Sequence, residues 1–206
     1  MAKGKFITLE GMDGAGKSTH IPTIVGMLEA RGYEVVSTRE PGGTPLGEKL
    51  RDLLLHETMH PETETLLMFA ARSEHIATVI APALARGAYV VSDRFTDASY
   101  AYQCGGRGVD ITKMKSLEKW VQGEGISALQ PDLTLLFDVP VEVSIQRLAN
   151  ARTPDKFERE NKAFFEKLRA SYLSRAAEYP TRFNIIDANQ PLENVKVLVK
   201  KLITTI

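Results

Sequence analysis

Apolar positions along the chain recur with two different periods, and the alternation between them defines its elements. Lys5-Phe6-Ile7-Thr8-Leu9-Glu10 is a short β-prone run; beyond it, in residues 18–31, Ile21, Ile24, Val25 and Leu28 recur at helical spacing. Gly32-Tyr33 closes that helix, and residues 34–38 read as a second strand. A turn-rich loop, Arg39-Glu40-Pro41-Gly42-Gly43-Thr44, leads to a helix over 46–55 that carries Arg51. A long helical region spans 61–85 through Glu64, Leu67, Phe69, Arg72 and Ile76, with Pro82 placed to kink or divide it. Residues 88–92 form a compact apolar strand ending in Asp93-Arg94-Phe95. A helix over 97–103 runs into Gly105-Gly106-Arg107-Gly108, read as a flexible loop, and a further helix spans 111–123. Pro131-Asp132 opens a strand over 133–137 that ends at Asp138. A helix over 141–150 is interrupted by Arg152-Thr153-Pro154-Asp155-Lys156, and a long amphipathic helix is expected from about 157 to 179. A last strand over 183–186 and a helix over 192–203 complete the pattern.

Five strands alternating with helices predict an α/β fold: a five-stranded parallel sheet with helices on both faces, in three layers. The binding crevice of such a sheet lies at the carboxyl ends of its strands. No internal repeat, low-complexity segment or linker divides the chain, so one domain is expected over 1–206.

The first strand and helix are joined by Gly11-Met12-Asp13-Gly14-Ala15-Gly16-Lys17-Ser18, followed by Thr19, which fits the phosphate-binding pattern G-x-x-x-x-G-K-[ST]. Glycines let backbone N–H groups turn inward around phosphate oxygens, and the helix beginning at Lys17 points its own free N–H groups at the same anion. Lys17 is placed to reach the β- and γ-phosphates of a nucleotide, and the Ser18 hydroxyl to ligate Mg²⁺. This makes Gly11 to Thr19 the candidate ATP-binding stretch.

Bulk properties narrow the setting. Twenty-six basic and 26 acidic residues give zero net charge, so no basic stripe points to nucleic acid. Cys104 is the only cysteine, which excludes a disulfide or a multi-thiolate metal site within one chain. His20, His56, His60 and His75 show no metal-ligand spacing. The chain enters a strand without a signal-peptide apolar region, and no run of eighteen apolar residues occurs. The expectation is a soluble cytoplasmic protein that needs no membrane.

Three further groups speak to the chemistry. Phe69 and Arg72 share a helix face, where an aromatic ring beside a guanidinium suits a planar base; a core Phe with a surface Arg is the plainer alternative. Asp93-Arg94 ends a buried strand at the crevice, where Asp93 can hold the Mg²⁺ shell and Arg94 can bridge two phosphates; a structural ion pair competes with that reading. Ser99, Tyr102 and Gln103 lie on one helical face, and a carboxamide offers both a donor and an acceptor to a base edge; an exposed helical stripe is the plainer alternative.

Taken together in order, these stretches resemble the thymidylate kinases, the nucleoside monophosphate kinases that phosphorylate dTMP. The resemblance covers essentially the whole chain. It rests on residues 6–19, on Thr38-Arg39-Glu40-Pro41-Gly42-Gly43-Thr44, on Leu67-Met68-Phe69-Ala70-Ala71-Arg72, and on Asp93-Arg94-Phe95 with Ala101-Tyr102-Gln103. Gly105-Gly106-Arg107-Gly108, Pro131-Asp132-Leu133-Thr134 and Asp187-Ala188 continue it. The resemblance implies transfer of the γ-phosphoryl of ATP to dTMP, with Mg²⁺, in a homodimer. It implies that Phe69 stacks on thymine, that Arg72, Gln103 and Ser99 read its edge, and that Tyr102 packs under the sugar and disfavours a 2′-hydroxyl. Arg51 and Arg94 match arginines that grip the acceptor phosphate, Asp13 the carboxylate near the acceptor's 3′-hydroxyl and the metal shell, and Glu40 a contributor to the acceptor pocket. Lys17, Arg94, Asp13 and a lid arginine make up the catalytic set.

One position departs from part of the family. Where some members carry an arginine inside the phosphate loop, this chain has Gly14 and Ala15, and members of this bacterial type supply arginine from a lid instead. The lid falls at about 150–160, with Arg147, Arg152 and Arg159 as candidates and Arg152 favoured; Lys156 stands where the lid pattern usually has an arginine. Adenine is expected near 187–191 and Arg147. Three rival functions remain: a kinase for another nucleotide, a GTP-dependent switch, and a purely structural phosphate-loop domain serving as an interaction partner. The switch lacks its guanine-reading motif, because Asn161-Lys162 is followed by Ala163-Phe164.

Overall fold

The computed structural model describes residues 4–149 and 155–206. Its centre is a five-stranded, wholly parallel sheet formed by β1 (Phe6–Glu10), β2 (Val35–Arg39), β3 (Tyr89–Asp93), β4 (Leu133–Asp138) and β5 (Phe183–Asp187), in the spatial order β2-β3-β1-β4-β5. Strands β1, β3 and β4 are almost wholly buried, as apolar runs covered by helices on both faces must be, whereas edge strands β2 and β5 are partly exposed. Register is fixed by pairs such as Ile7 with Val91 and Leu9 with Leu135. The buried hydroxyls of Thr8 and Thr134 pair across β1 and β4 at 3.0 Å, and Thr134 Oγ1 also accepts from Arg182 Nη1 at 2.7 Å. At the foot of β1, Asp132 Oδ2 accepts from the Phe6 backbone N–H at 2.8 Å.

The helices are α1 (Lys17–Ala30), α2 (Pro45–His56), α3 (Pro61–His75), α4 (Ala81–Ala85), α5 (Thr96–Ser99), α6 (Ile111–Gln122), α7 (Val141–Ala149), α8 (Lys162–Glu178) and α9 (Leu192–Ile203). None of the described helices is long and apolar enough to cross a membrane. The main core lies where α1, α8 and α9 pack on the sheet, around Leu9, Ile24, Leu135, Phe165 and Val199. A second cluster, with Phe6, Ile80, Leu84 and Phe95, packs beside β1 and β3.

The long region 61–85 is divided, as Pro82 requires: α3 passes through a π-helical turn, Ile76–Ile80, before α4. Two expectations are corrected. Gly105 and Gly106 are not in a flexible loop but end a π-helical stretch, Tyr100–Gly106, that continues α5. They are glycines because this stretch presses on α8; a Cβ on Gly106 would lie 2.4 Å from the Phe164 ring. The long C-terminal helix also begins at Lys162 rather than near 157. Asn161 caps it by accepting from the Phe164 N–H at 3.0 Å, while Asp155 closes a separate turn by accepting from the N–H groups of Phe157 and Glu158. Phe157 is buried against the core and so mimics helical periodicity from within that turn.

Beneath the crevice, Asp97 is 1% exposed and accepts from Arg175 Nε at 2.9 Å and Arg182 Nη1 at 2.6 Å. This pairing fastens α5 to α8 and to the start of β5, and so sets the platform on which the site residues stand.

Candidate active site

The glycine loop sits where β1 ends, at the point of the sheet where the connections diverge to both sides. Gly11 approaches β4 so closely that a Cβ would lie 2.3 Å from the Phe137 carbonyl oxygen. Gly16 occupies the N-cap of α1 at φ 90°, and no side chain caps the helix, so its first N–H groups face outward into the loop. Lys17 is buried, and its Nζ donates to the carbonyls of Gly11 at 3.0 Å and Met12 at 2.8 Å. Burial, and then the Arg94 charge, lower its pKa to about 8. Ser18 Oγ donates to Asp93 Oδ2 at 2.8 Å, and the buried Asp93 Oδ1 has no partner among the described residues. A hydroxyl beside a carboxylate with an oxygen to spare fits a hard divalent cation, which takes oxygen donors and keeps its remaining positions for phosphate and water.

Beyond the loop opens a cleft lined by Asp13, Arg51, Met68, Arg72, Arg94, Ser99, Tyr102, Gln103 and Phe157 among others. Arg94, at φ 72°, stands in the left-handed region that non-glycine residues rarely occupy, immediately after β3. Both Nη atoms of its guanidinium are engaged: Nη1 donates to the Gly11 carbonyl and Tyr172 hydroxyl at 2.9 and 2.8 Å, and Nη2 to Asp13 Oδ1 and the Tyr102 hydroxyl at 2.7 and 3.0 Å. Asp13 also accepts from Tyr102 at 2.6 Å. Burial works to raise the Asp13 carboxyl, but Arg94 and Lys17 outweigh it and hold it well below the usual carboxylate range. Arg51 donates to the Pro41 carbonyl at 2.9 Å and lines the same cleft as Arg94.

At the far end, Arg72 is clamped by Glu40 Oε2 on its Nε at 2.7 Å and by Ser99 Oγ and the Phe95 carbonyl on Nη2. Glu40 in turn meets His75 Nδ1 at 2.9 Å. Gln103 Nε2 donates to Glu64 Oε1 at 2.9 Å. Two polar atoms remain buried and unpartnered here among the described residues: Arg72 Nη1, a donor, and Gln103 Oε1, an acceptor.

Most residues singled out from sequence therefore converge on one cleft, but Phe69 does not line it. Its ring is 2% exposed and packs with Tyr100 and Met114 behind Arg72, whose guanidinium lies 4.6 Å above the ring. The apolar side chain that α3 presents to the cleft is Met68. Ser99 touches Arg72 and so positions it. Sequence reasoning passed over Glu64, Met68 and Tyr172. Glu64, Met68 and Arg72 stand four apart on α3, and this row was the signal available.

Of the lid candidates, Arg147 donates to the carbonyls of Gly14 and Ala188, both at 3.2 Å. It lines a second pocket with Gly14, Gly16, His20, Ala188 and Gln190, beside the phosphate loop. Lys156 Nζ pairs with Glu64 Oε2 at 2.9 Å, and Arg159 is exposed in the same turn. Arg152 lies outside the described residues.

A family model described as thymidylate kinase matches residues 9–199. The chain is 71% identical to a thymidylate kinase of Methylobacillus flagellatus, over 94% of both proteins. It is 62% identical to that of Cupriavidus metallidurans, over 99% of this chain and all of that one. The crystal structure of thymidylate kinase from Ehrlichia chaffeensis superposes with a TM-score of 0.78 at 30% identity, covering 98% of this chain and 99% of that one.

Proposed function

The chain belongs to the thymidylate kinase family, and from that premise we propose how its cleft transfers the γ-phosphoryl of ATP to dTMP, giving ADP and dTDP for dTTP synthesis. The observation that carries the reading is the pair of unpartnered atoms at the cleft's far end. Arg72 Nη1 offers one donor and Gln103 Oε1 one acceptor, and thymine presents the complement, the O4 acceptor beside the N3–H donor. Tyr102, which lines the cleft and whose hydroxyl meets Arg94 Nη2 at 3.0 Å, is the ring we assign to pack under the sugar, where it disfavours a 2′-hydroxyl.

The two ends of the cleft divide the work. The backbone N–H groups of residues 11–19 cradle the ATP phosphates, and Lys17 leaves the carbonyls of Gly11 and Met12 for the β- and γ-oxygens. Arg51 and Arg94 hold the dTMP phosphate, with Asp13 near the 3′-hydroxyl. An oxygen of that phosphate, already anionic at neutral pH, attacks the γ-phosphorus. The bond to the β–γ bridging oxygen breaks, and ADP departs with the electron pair, so no strong general base is required. Ser18 and Asp93 would hold Mg²⁺, which supplies charge neutralisation on the phosphates. Catalysis is thus placement and neutralisation of two polyanions, completed by a cation from the 150–160 lid of this one domain, Arg152 being our choice. Adenine packs in the pocket between the loop and Ala188-Gln190, against Arg147. A cytoplasmic location and a homodimer belong to the same reading. For the dimer, the support is an apolar groove between α3 and α6 in which Leu66 is 55% exposed; light scattering in solution tests it.

A coupled spectrophotometric assay with ATP and Mg²⁺ across dTMP, dUMP, dCMP, dGMP and dAMP tests the function. dTMP is expected to be turned over fastest at low concentration; preference for a purine monophosphate overturns the reading of the cleft.

A further inference from the structure

We propose that Glu64 is the positioning residue that decides which end of the Gln103 carboxamide meets the base, and with it the preference for a pyrimidine carrying N3–H. The inference rests on the reading of the cleft given above. The two ends of a carboxamide have nearly the same shape, so packing alone does not choose between them; only a partner of fixed polarity does. Glu64 is that partner. Its side chain is 2% exposed, and Oε1 accepts from Gln103 Nε2 at 2.9 Å. Its other oxygen, Oε2, is paired with Lys156 Nζ at 2.9 Å, and Arg107 Nε lies 3.7 Å from Oε1. Between two cations the carboxylate acts as an acceptor, so the amide end of Gln103 must turn to it. A flipped Gln103 would bring two acceptors together inside a buried site. The carbonyl end is left facing away from Glu64, and it is the atom without a partner.

Cytosine has a bare N3 and an exocyclic amino group, so it meets an acceptor with an acceptor at Gln103 and a donor with a donor at Arg72. Glu64 does not line the cleft itself; it acts through Gln103. Because Lys156 belongs to the turn after residue 154, the same carboxylate ties base reading to the described part of the 150–160 segment.

The test is Glu64→Gln and the exchange Glu64→Gln with Gln103→Glu, each assayed with dTMP and dCMP and each melted to establish folding. In Glu64→Gln the Gln103 amide loses its fixed polarity. KM for dTMP rises and the dTMP-to-dCMP ratio of kcat/KM falls by about tenfold or more, with the larger change in KM than in kcat. In the exchanged pair, the carboxamide now on α3 can donate to the carboxylate that replaces Gln103. That carboxylate presents an acceptor to the base either way round, so the ratio recovers. An unchanged ratio in Glu64→Gln, even with a lowered Tm, or no recovery in the exchanged pair, overturns the proposal. Failure of the wild-type enzyme to phosphorylate dTMP would instead overturn the reading on which it rests.

Discussion

Arg94 Nη2 lies 2.7 Å from Asp13 Oδ1, so the acidic residue of the phosphate loop and the arginine that ends β3 form one rigid unit. Four donations hold the guanidinium in place at the cleft wall, where its side chain is 13% exposed. Arg94→Lys keeps the charge but cannot reproduce the fork. Steady-state kinetics should show kcat lowered by about a hundredfold or more, with a small change in Tm. Near-normal kcat would remove Arg94 from phosphate positioning.

Lys17 donates its hydrogen bonds to carbonyls of its own loop. Lys17→Ala therefore removes little from the fold while taking away the charge that meets the β- and γ-phosphates. Turnover should fall by roughly 10³-fold or more, with the unfolding transition near its wild-type position. A mutant with near-normal turnover would separate the loop from the reaction.

Neighbours on α3 should behave differently. Phe69→Ala empties a closed cluster and is expected to cost about 3–5 kcal/mol of stability, read by denaturant unfolding. Met68→Ala trims the cleft wall, and its main effect should be a several-fold rise in KM for dTMP with Tm nearly unchanged. The reverse pattern would return the base contact to Phe69.

Glu10, at the end of β1, is buried where it accepts from the Phe95 N–H at 2.7 Å and the Tyr172 hydroxyl at 3.1 Å. Burial, and then the nearby Asp97 charge, push its pKa up to about 8, against the opposing pull of Arg94. The unfolded chain releases this proton near the ordinary value of 4.5, while the folded chain keeps it until about pH 8. In that window the folded state binds more protons, so stability is greatest below it and falls as pH rises through it. Wild-type Tm should fall by about 3 °C per pH unit between pH 5 and 8 from this group. Glu10→Gln, which stays neutral, should flatten that slope; equal slopes in the two proteins would show Glu10 ionised in the native state.

Much of this protein was legible along the chain because the relevant forces are local. Strand and helix periods, the break at Pro82 and the glycine loop depend on residues within a few positions of one another, and the positions of β1 to β5 follow from them. Convergence of Arg51, Arg72, Arg94, Ser99, Tyr102 and Gln103 was legible as well, since each stands on an element whose carboxyl end or inner face is turned to the crevice. The turn at 155–161 was hidden because Phe157 buries itself in helical phase with α8.

The sequence by itself determined the order of elements, the parallel sheet and the phosphate loop, all consequences of hydrophobic period and of contiguous residue types. Only the tertiary structure decided that Met68, not Phe69, faces the cleft, because both are apolar and sit one position apart on the same helix. It alone decided which end of Gln103 is free, since Glu64 lies 39 residues away along the chain. A side chain's facing and an amide's polarity are set by partners brought together in space, and no local pattern records them.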